Sequence, residues 1–180
     1  MSTLDSPIGN VALIGYRGTG KSTLASLLGR SLGWPVISLD AEIVRDAGMS
    51  IVDLVAARGW DYFRDLEQRL LASAVDRAPR IIDCGGGVVE RDANHDSLRR
   101  CAHVIWLRAR PEALAERLAR DQERPALTEG QTFLEEIGEV LKRRSPLYAK
   151  LATIVVDTEG SAPESLASTI LGRLGSDSAR

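Results

Sequence analysis

Aromatic side chains are scarce in this chain, 4% of 180 residues, which argues against a surface that stacks nucleic-acid bases. Its 23 basic residues are balanced by 25 acidic ones, a formal net charge of -2. There is no bulk positive field to draw it to nucleic acid or an acidic membrane, and neither partner is expected. No apolar run reaches membrane-spanning length. The polar start, 1–10, contains Pro7, lacks the apolar stretch of a signal peptide and reads as a loose leader. Cysteine is nearly absent: Cys84 and Cys101 lack metal-ligand spacing and suit a reduced, cytoplasmic setting without a disulfide. His95 and His103 belong to no recognisable constellation and read as surface or strand-edge residues. No internal repeat is visible. The length suits a single α/β domain over 1–180, with 175–180 a frayed tail, acting as a monomer.

What is present is concentrated in one stretch. Gly15-Tyr16-Arg17-Gly18-Thr19-Gly20-Lys21-Ser22-Thr23 fits G-x-x-x-x-G-K-[ST], the phosphate-binding P-loop. The glycines let the backbone curl until successive N–H groups face phosphate oxygens. Lys21 brings a positive charge to the β- and γ-phosphates, and the Ser22 hydroxyl can ligate Mg2+. Gly15, Gly18, Thr19, Gly20, Lys21, Ser22 and Thr23 are thus the candidate ATP contacts. Before the loop, Val11-Ala12-Leu13-Ile14 is a buried-strand run; after it, Leu24, Leu27, Leu28 and Leu32 recur at helical spacing. Strand, glycine loop and helix come in the order the motif requires.

Further along, 34–39 reads as a second strand ending at Asp40, and 41–75 as a helical, charge-rich region broken near Gly48 and Gly59. Residues 80–84 form a third strand running into Gly85-Gly86-Gly87. A short helix is expected around 97–101, a fourth strand at 103–107, and a helix opened by Pro111 reaches about Arg120. The polar stretch 121–130 is a loop, 133–144 a helix, 152–156 a fifth strand and 163–174 a final helix. Alternating strands and helices imply a five-stranded parallel sheet with helices on both faces. Ligands in such sheets lie beyond the C-terminal strand ends, where the P-loop, Asp40 and the triple glycine all fall.

Each remaining candidate has two readings. Asp40 can orient and deprotonate an acceptor hydroxyl, or cap the helix that follows. Arg64, taken alone, reads better as a solvated, ion-paired residue. Gly85-Gly86-Gly87 allows close backbone approach to a ligand, or simply a tight turn. Arg120, Arg124 and Pro125 suit a phosphate-clamping lid, or an ordinary charged loop. Arg143 and Arg144, just before Pro146, suit a bidentate carboxylate grip, or a helix end favoured by its dipole.

Taken together, the P-loop, Asp40-Ala41-Glu42-Ile43, Gly48-x-Ser50-Ile51, Phe63-Arg64-x-x-Glu67, Gly85-Gly86-Gly87, Arg124-Pro125-x-Leu127 and Arg144-x-Pro146-Leu147-Tyr148 follow the order and spacing of shikimate kinases. The chain resembles that family from Val11 to its final helix. The resemblance implies a three-layer P-loop kinase fold with a lid loop. It also implies transfer of the γ-phosphoryl of ATP, with Mg2+, to the 3-hydroxyl of shikimate. By the same resemblance Asp40 is the base, and Arg64 and Arg144 grip the substrate carboxylate. Gly86 and Gly87 approach the ring hydroxyls, Arg124 stabilises transferred charge from the lid, and Arg117 lies against adenine. Alternatives are a kinase for another small hydroxylated acid such as gluconate, a nucleoside monophosphate kinase, or a nucleotide-binding protein without catalysis.

One departure stands out. Where the family's second strand carries Asp-x-Asp, this chain has Ser38-Leu39-Asp40. Asp83, at the end of the third strand, holds a place where the family commonly has a small residue. The Mg2+-side carboxylate is therefore expected to have moved to Asp83; the other reading is a weakened or repurposed kinase in which Asp83 is incidental. Ala126 for the usual leucine after Arg-Pro alters lid packing at most.

Overall fold

The computed structural model describes residues 9–77, 79–120 and 133–177. In chain order the elements are β1 Val11–Ile14, α1 Lys21–Leu32, β2 Val36–Ser38, α2 Leu39–Ala47, α3 Ile51–Val75, β3 Ile81–Asp83, a 3-10 turn Val88–Glu90, α4 Asp92–Arg99, β4 His103–Arg108, α5 Pro111–Arg120, α6 Phe133–Leu151, β5 Ile154–Asp157 and α7 Pro163–Asp177. The strands form one parallel sheet in the order β2-β3-β1-β4-β5. Among the described residues no helix is long and apolar enough to cross a membrane.

The central strand explains the layering. All four residues of β1 are buried, as expected of a parallel strand covered on both faces. Side chains alternate along it: Val11 and Leu13 pack with Leu24 and Leu28 of α1 and Ile170 of α7. Ala12 and Ile14 turn the other way, toward Leu71 of α3, Leu98 of α4 and Tyr148 of α6. Away from the sheet, Ile43 of α2 packs with Leu54, Phe63 and Leu66 of α3 in a separate small core.

Several boundaries differ from the sequence expectation. The second strand stops at Ser38, whose Oγ accepts from the Ala41 N–H at 3.4 Å. Ser38, not Asp40, caps α2, and Asp40 lies in its first turn. The breaks at Gly48 and Gly59 are present: both residues have positive φ, and α3 is kinked at Gly59. Helix α4 begins at Asp92 rather than near Ser97. Helix α6 runs through Pro146 to Leu151, so Arg143 and Arg144 are mid-helix and the helix-end reading fails. Proline removes one internal hydrogen bond there, but burial of Tyr148 and Leu151 holds the following turn in place. Helix α7 continues through residue 177, past the expected start of the tail.

Asn10, expected in a loose leader, is buried and donates from Nδ2 to the Val75 carbonyl at 2.8 Å. His95 and His103, expected at the surface or at a strand edge, are both buried, and His95 Nε2 lies 2.7 Å from the Val89 carbonyl oxygen. The two cysteines are buried and unpaired.

Leu13 is fully buried at the middle of β1. Leu13→Ala should lower stability by about 2–5 kcal/mol, read as a fall in the urea midpoint without a change in slope.

Candidate active site

Register brings three strand ends together. Ser38 of β2 pairs with Asp83 of β3, and Asp83 pairs with Leu13 of β1. Beyond this rung lie the P-loop, the first turn of α2 and the triple glycine, on one rim of the sheet.

The P-loop is shaped by glycines at positive φ: Gly15, Gly18 and Gly20. At Gly15 a β-carbon would collide with the Leu107 carbonyl, so only glycine fits. The Thr19 hydroxyl donates to the Tyr16 carbonyl at 2.7 Å, so this side chain ties the loop together. Gly20 opens α1 with no side-chain cap. The first N–H groups of that helix are thus left for an anion. Thr23 is exposed in the first turn.

Lys21 is buried and donates from Nζ to the Tyr16 carbonyl at 3.0 Å. Burial lowers the pKa of its ammonium, opposed by the charges of Asp83 and Asp40. Ser22 Oγ donates to Asp83 Oδ2 at 2.6 Å. Asp83 is itself buried, and that burial raises its pKa against the Ser22 bond and the Lys21 charge. On the opposite flank of the loop, Arg117 of α5 donates to the Gly18 carbonyl at 3.2 Å and to the Thr158 carbonyl at 2.7 Å. Among the described residues its hydrogen bonds run to Gly18 and Thr158 and not to the cluster around the triple glycine.

The first and third residues of the triple glycine, Gly85 and Gly87, are tightly crowded, and Gly86 is in ordinary contact with its neighbours. A β-carbon on Gly85 would stand 2.8 Å from Glu67 Oε1 and 3.0 Å from Asp40 Oδ1. One on Gly86 would meet the Gly15 carbonyl at 3.4 Å, the Arg17 nitrogen at 3.5 Å and Arg144 Nη1 at 3.6 Å. One on Gly87 would overlap the Arg64 guanidinium. The glycines therefore serve close approach by functional groups, beyond any need to turn the chain. Tyr148, fully buried on α6, donates its hydroxyl to the Gly86 carbonyl.

Arg64 is not the solvated residue that its local sequence suggests. Its side chain is 15% exposed, and Nη1 donates to Glu67 Oε2 at 2.7 Å. Glu67 is fully buried, which raises its pKa against the pull of Arg64. Arg144 comes from α6 to the same place; Arg64 Nη2 and Arg144 Nη2 donate to the one oxygen Glu90 Oε2, at 3.1 and 3.0 Å. Lys21, Ser22, Asp40, Asp83, Arg64, Arg144, Gly86 and Gly87 are thus brought together. Arg124 lies outside the described residues. Sequence reasoning missed Glu90 altogether and gave Glu67 no role; a lone acid after two valines carries no motif. The arrangement offers an uncapped helix end with a buried ammonium for phosphate, the Asp40 carboxylate for a hydroxyl, and paired guanidinium groups for an anion.

Sequence comparison agrees with this geometry. The shikimate kinase family model matches residues 17–175. The chain belongs to the shikimate kinase family. It is 42% identical to the shikimate kinase of Nitratidesulfovibrio vulgaris over 89% of this chain and 91% of that one. It is 35% identical to that of Persephonella marina over 92% and 98%. Among solved structures, a shikimate kinase from Acinetobacter baumannii in complex with shikimate superposes with a TM-score of 0.90 at 28% identity, covering 97% of each chain. A gluconokinase from Sinorhizobium meliloti is similar at a TM-score of 0.58 and 17% identity, a likeness of fold alone. The fold is that of the P-loop kinases, and the chain is a kinase-type phosphotransferase.

Gly87→Ala should expel the Arg64 head group, a flexible side-chain end that can move without unfolding its helix. We expect a melting temperature within a few degrees of wild type and, by calorimetry, shikimate binding weakened about tenfold or more.

Proposed function

We propose that this protein transfers the γ-phosphoryl group of ATP to the 3-hydroxyl of shikimate. The observation that carries this reading is the convergence of Asp40, Arg64 and Arg144 on the glycine strip whose other side abuts the P-loop backbone. A hydroxylated ring bearing one carboxylate fits that strip with its anion on the arginines and a hydroxyl toward Asp40. The family relationship supports the same acceptor.

In the mechanism Asp40 accepts the proton of the acceptor hydroxyl as its oxygen bonds to the γ-phosphorus, and the bond to the β–γ bridging oxygen breaks to release ADP. Lys21, held beside the loop, brings its positive charge to the phosphates. Gly86 and Gly87 bring backbone groups up to the acceptor ring, and Arg117 packs against the adenine. Phosphoryl transfer asks mainly for alignment and charge stabilisation, and both are supplied by groups already fixed by neighbours.

We further propose Mg2+ as the cofactor, held by Ser22, with Asp83 as the carboxylate on the metal side. The hydroxyl and carboxylate oxygens, 2.6 Å apart beside Lys21, are the hard donors this ion prefers. Among the described residues no group of three His, Cys, Asp or Glu side chains could hold a metal, so nucleotide phosphates and water complete the set. When bound, the ion neutralises charge on the phosphates. Ser38, committed to capping α2, has handed the carboxylate to its partner on the same rung of the sheet. We infer too that the protein works in the cytoplasm, supported by two buried, unpaired cysteines, and as a monomer.

The test is ADP release with Mg-ATP and shikimate, gluconate or a nucleoside monophosphate; stimulation by shikimate alone is expected, and stimulation by another acceptor instead would overturn the reading. Asp40→Asn should lower kcat by about 10²–10⁴ with the KM for ATP unchanged; activity within a few-fold of wild type would remove Asp40 as the base. For Asp83→Asn we expect the Mg2+-dependent gain in ADP affinity to vanish in a calorimetric titration, and Ser38→Asp added to it to restore part of that gain. An unaltered Mg2+ dependence in Asp83→Asn would show that the carboxylate plays no part in holding the ion.

A further inference from the structure

Glu90 ends the 3-10 turn that follows the triple glycine. Both of its oxygens are engaged. Oε2 accepts from Arg64 Nη2 at 3.1 Å and Arg144 Nη2 at 3.0 Å, while Oε1 accepts from Arg143 Nη2 at 2.9 Å and Arg143 Nε at 3.2 Å. One carboxylate thus joins three guanidinium groups drawn from α3 and α6. The turn that carries it is anchored by Val88 and Val89, both fully buried, and by the Glu90 N–H bond to the Gly87 carbonyl at 3.0 Å. Glu90 is therefore placed by the backbone, and the arginines come to it.

Two convergent guanidinium groups repel each other unless an anion lies between them. Among the described residues, Arg64 has Glu67 on Nη1 and Arg144 has only Glu90 as an ion-pair partner. A donor remains for a second anion: Arg144 Nε is buried with no hydrogen-bond partner among the described residues. The local groups are three arginines, Arg64, Arg143 and Arg144, and three carboxylates, Glu67, Glu90 and Asp40.

We propose that Glu90 is a resident counter-anion of the acceptor site, a positioning residue that holds Arg64 and Arg144 convergent for the substrate carboxylate. It shares the arginines with the substrate rather than competing for them. The proposal rests on the acceptor reading given above, that Arg64 and Arg144 grip the carboxylate of shikimate.

The test is Glu90→Gln, which keeps shape and removes charge, compared with wild type by steady-state kinetics and by calorimetric titration with shikimate. The expected result is a KM and a dissociation constant for shikimate raised about tenfold, with kcat and the KM for ATP within twofold and the melting temperature within a few degrees. A purely structural role would lower the melting temperature without that split between the two substrates. Unchanged shikimate binding overturns the proposal, and so does tighter binding, which would make Glu90 a competitor of the substrate. Glu90→Asp, which keeps the charge on a shorter arm, should recover part of the lost affinity, and no recovery counts against a charge-based role. Wild-type protein that neither binds nor phosphorylates shikimate overturns the acceptor reading and this proposal with it; wild-type turnover beside an unaffected Glu90→Gln overturns the role of Glu90 alone.

Discussion

Space without side chains, at Gly85-Gly86-Gly87, is the constraint on which the acceptor half of this molecule depends. Each glycine faces a different group: Glu67 and Asp40 at the first, the P-loop backbone and Arg144 at the second, Arg64 at the third. A methyl group at the first or third position would push one of them away. Glycine is costly to order, and the segment is steadied from both ends. β3 pairs with two neighbours before it, and Val88 and Val89 are buried after it. The Tyr148 hydroxyl holds the middle carbonyl. Packing by distant elements thus fixes a backbone that has little conformational preference of its own.

The second organising fact is that the charges here are buried in company. Lys21, Asp83 and Glu67 are each largely withdrawn from water, at a cost that only close partners can offset. Each has one: the Tyr16 carbonyl, Ser22 and Arg64 in turn. Removing water also strengthens every remaining electrostatic interaction. The rim of the sheet is therefore a set of oriented charges that need little rearrangement when phosphate and anion arrive.

Much of this was legible in the sequence because its signals are local. The P-loop spells out its own backbone, and Gly48 and Gly59 mark breaks that only positive φ explains. Asp83 stood out because it ends an apolar strand at a place where the family commonly has a small residue. What escaped notice depends on long-range packing. Whether Arg64 is solvated turns on Gly87 and Glu90, more than twenty positions away. The continuation of α6 through Pro146 turns on burial of Tyr148 and Leu151, which local proline rules cannot see. Ser38 as the cap of α2 turned on a boundary shifted by two residues, since a serine and an aspartate cap equally well.

The uncapped start of α1 has a thermodynamic consequence. A helix that begins at Gly20 without a side-chain acceptor leaves donors whose partner must come from solution, so ligand and fold are coupled. Any anion that prefers the folded chain raises its apparent stability as its concentration rises, by about 2.7 kcal/mol at a hundred times its dissociation constant. The heat resistance of this protein is then a property of the solution as much as of the chain. In a cell rich in nucleotide it would sit well above that of the same molecule dialysed free of phosphate.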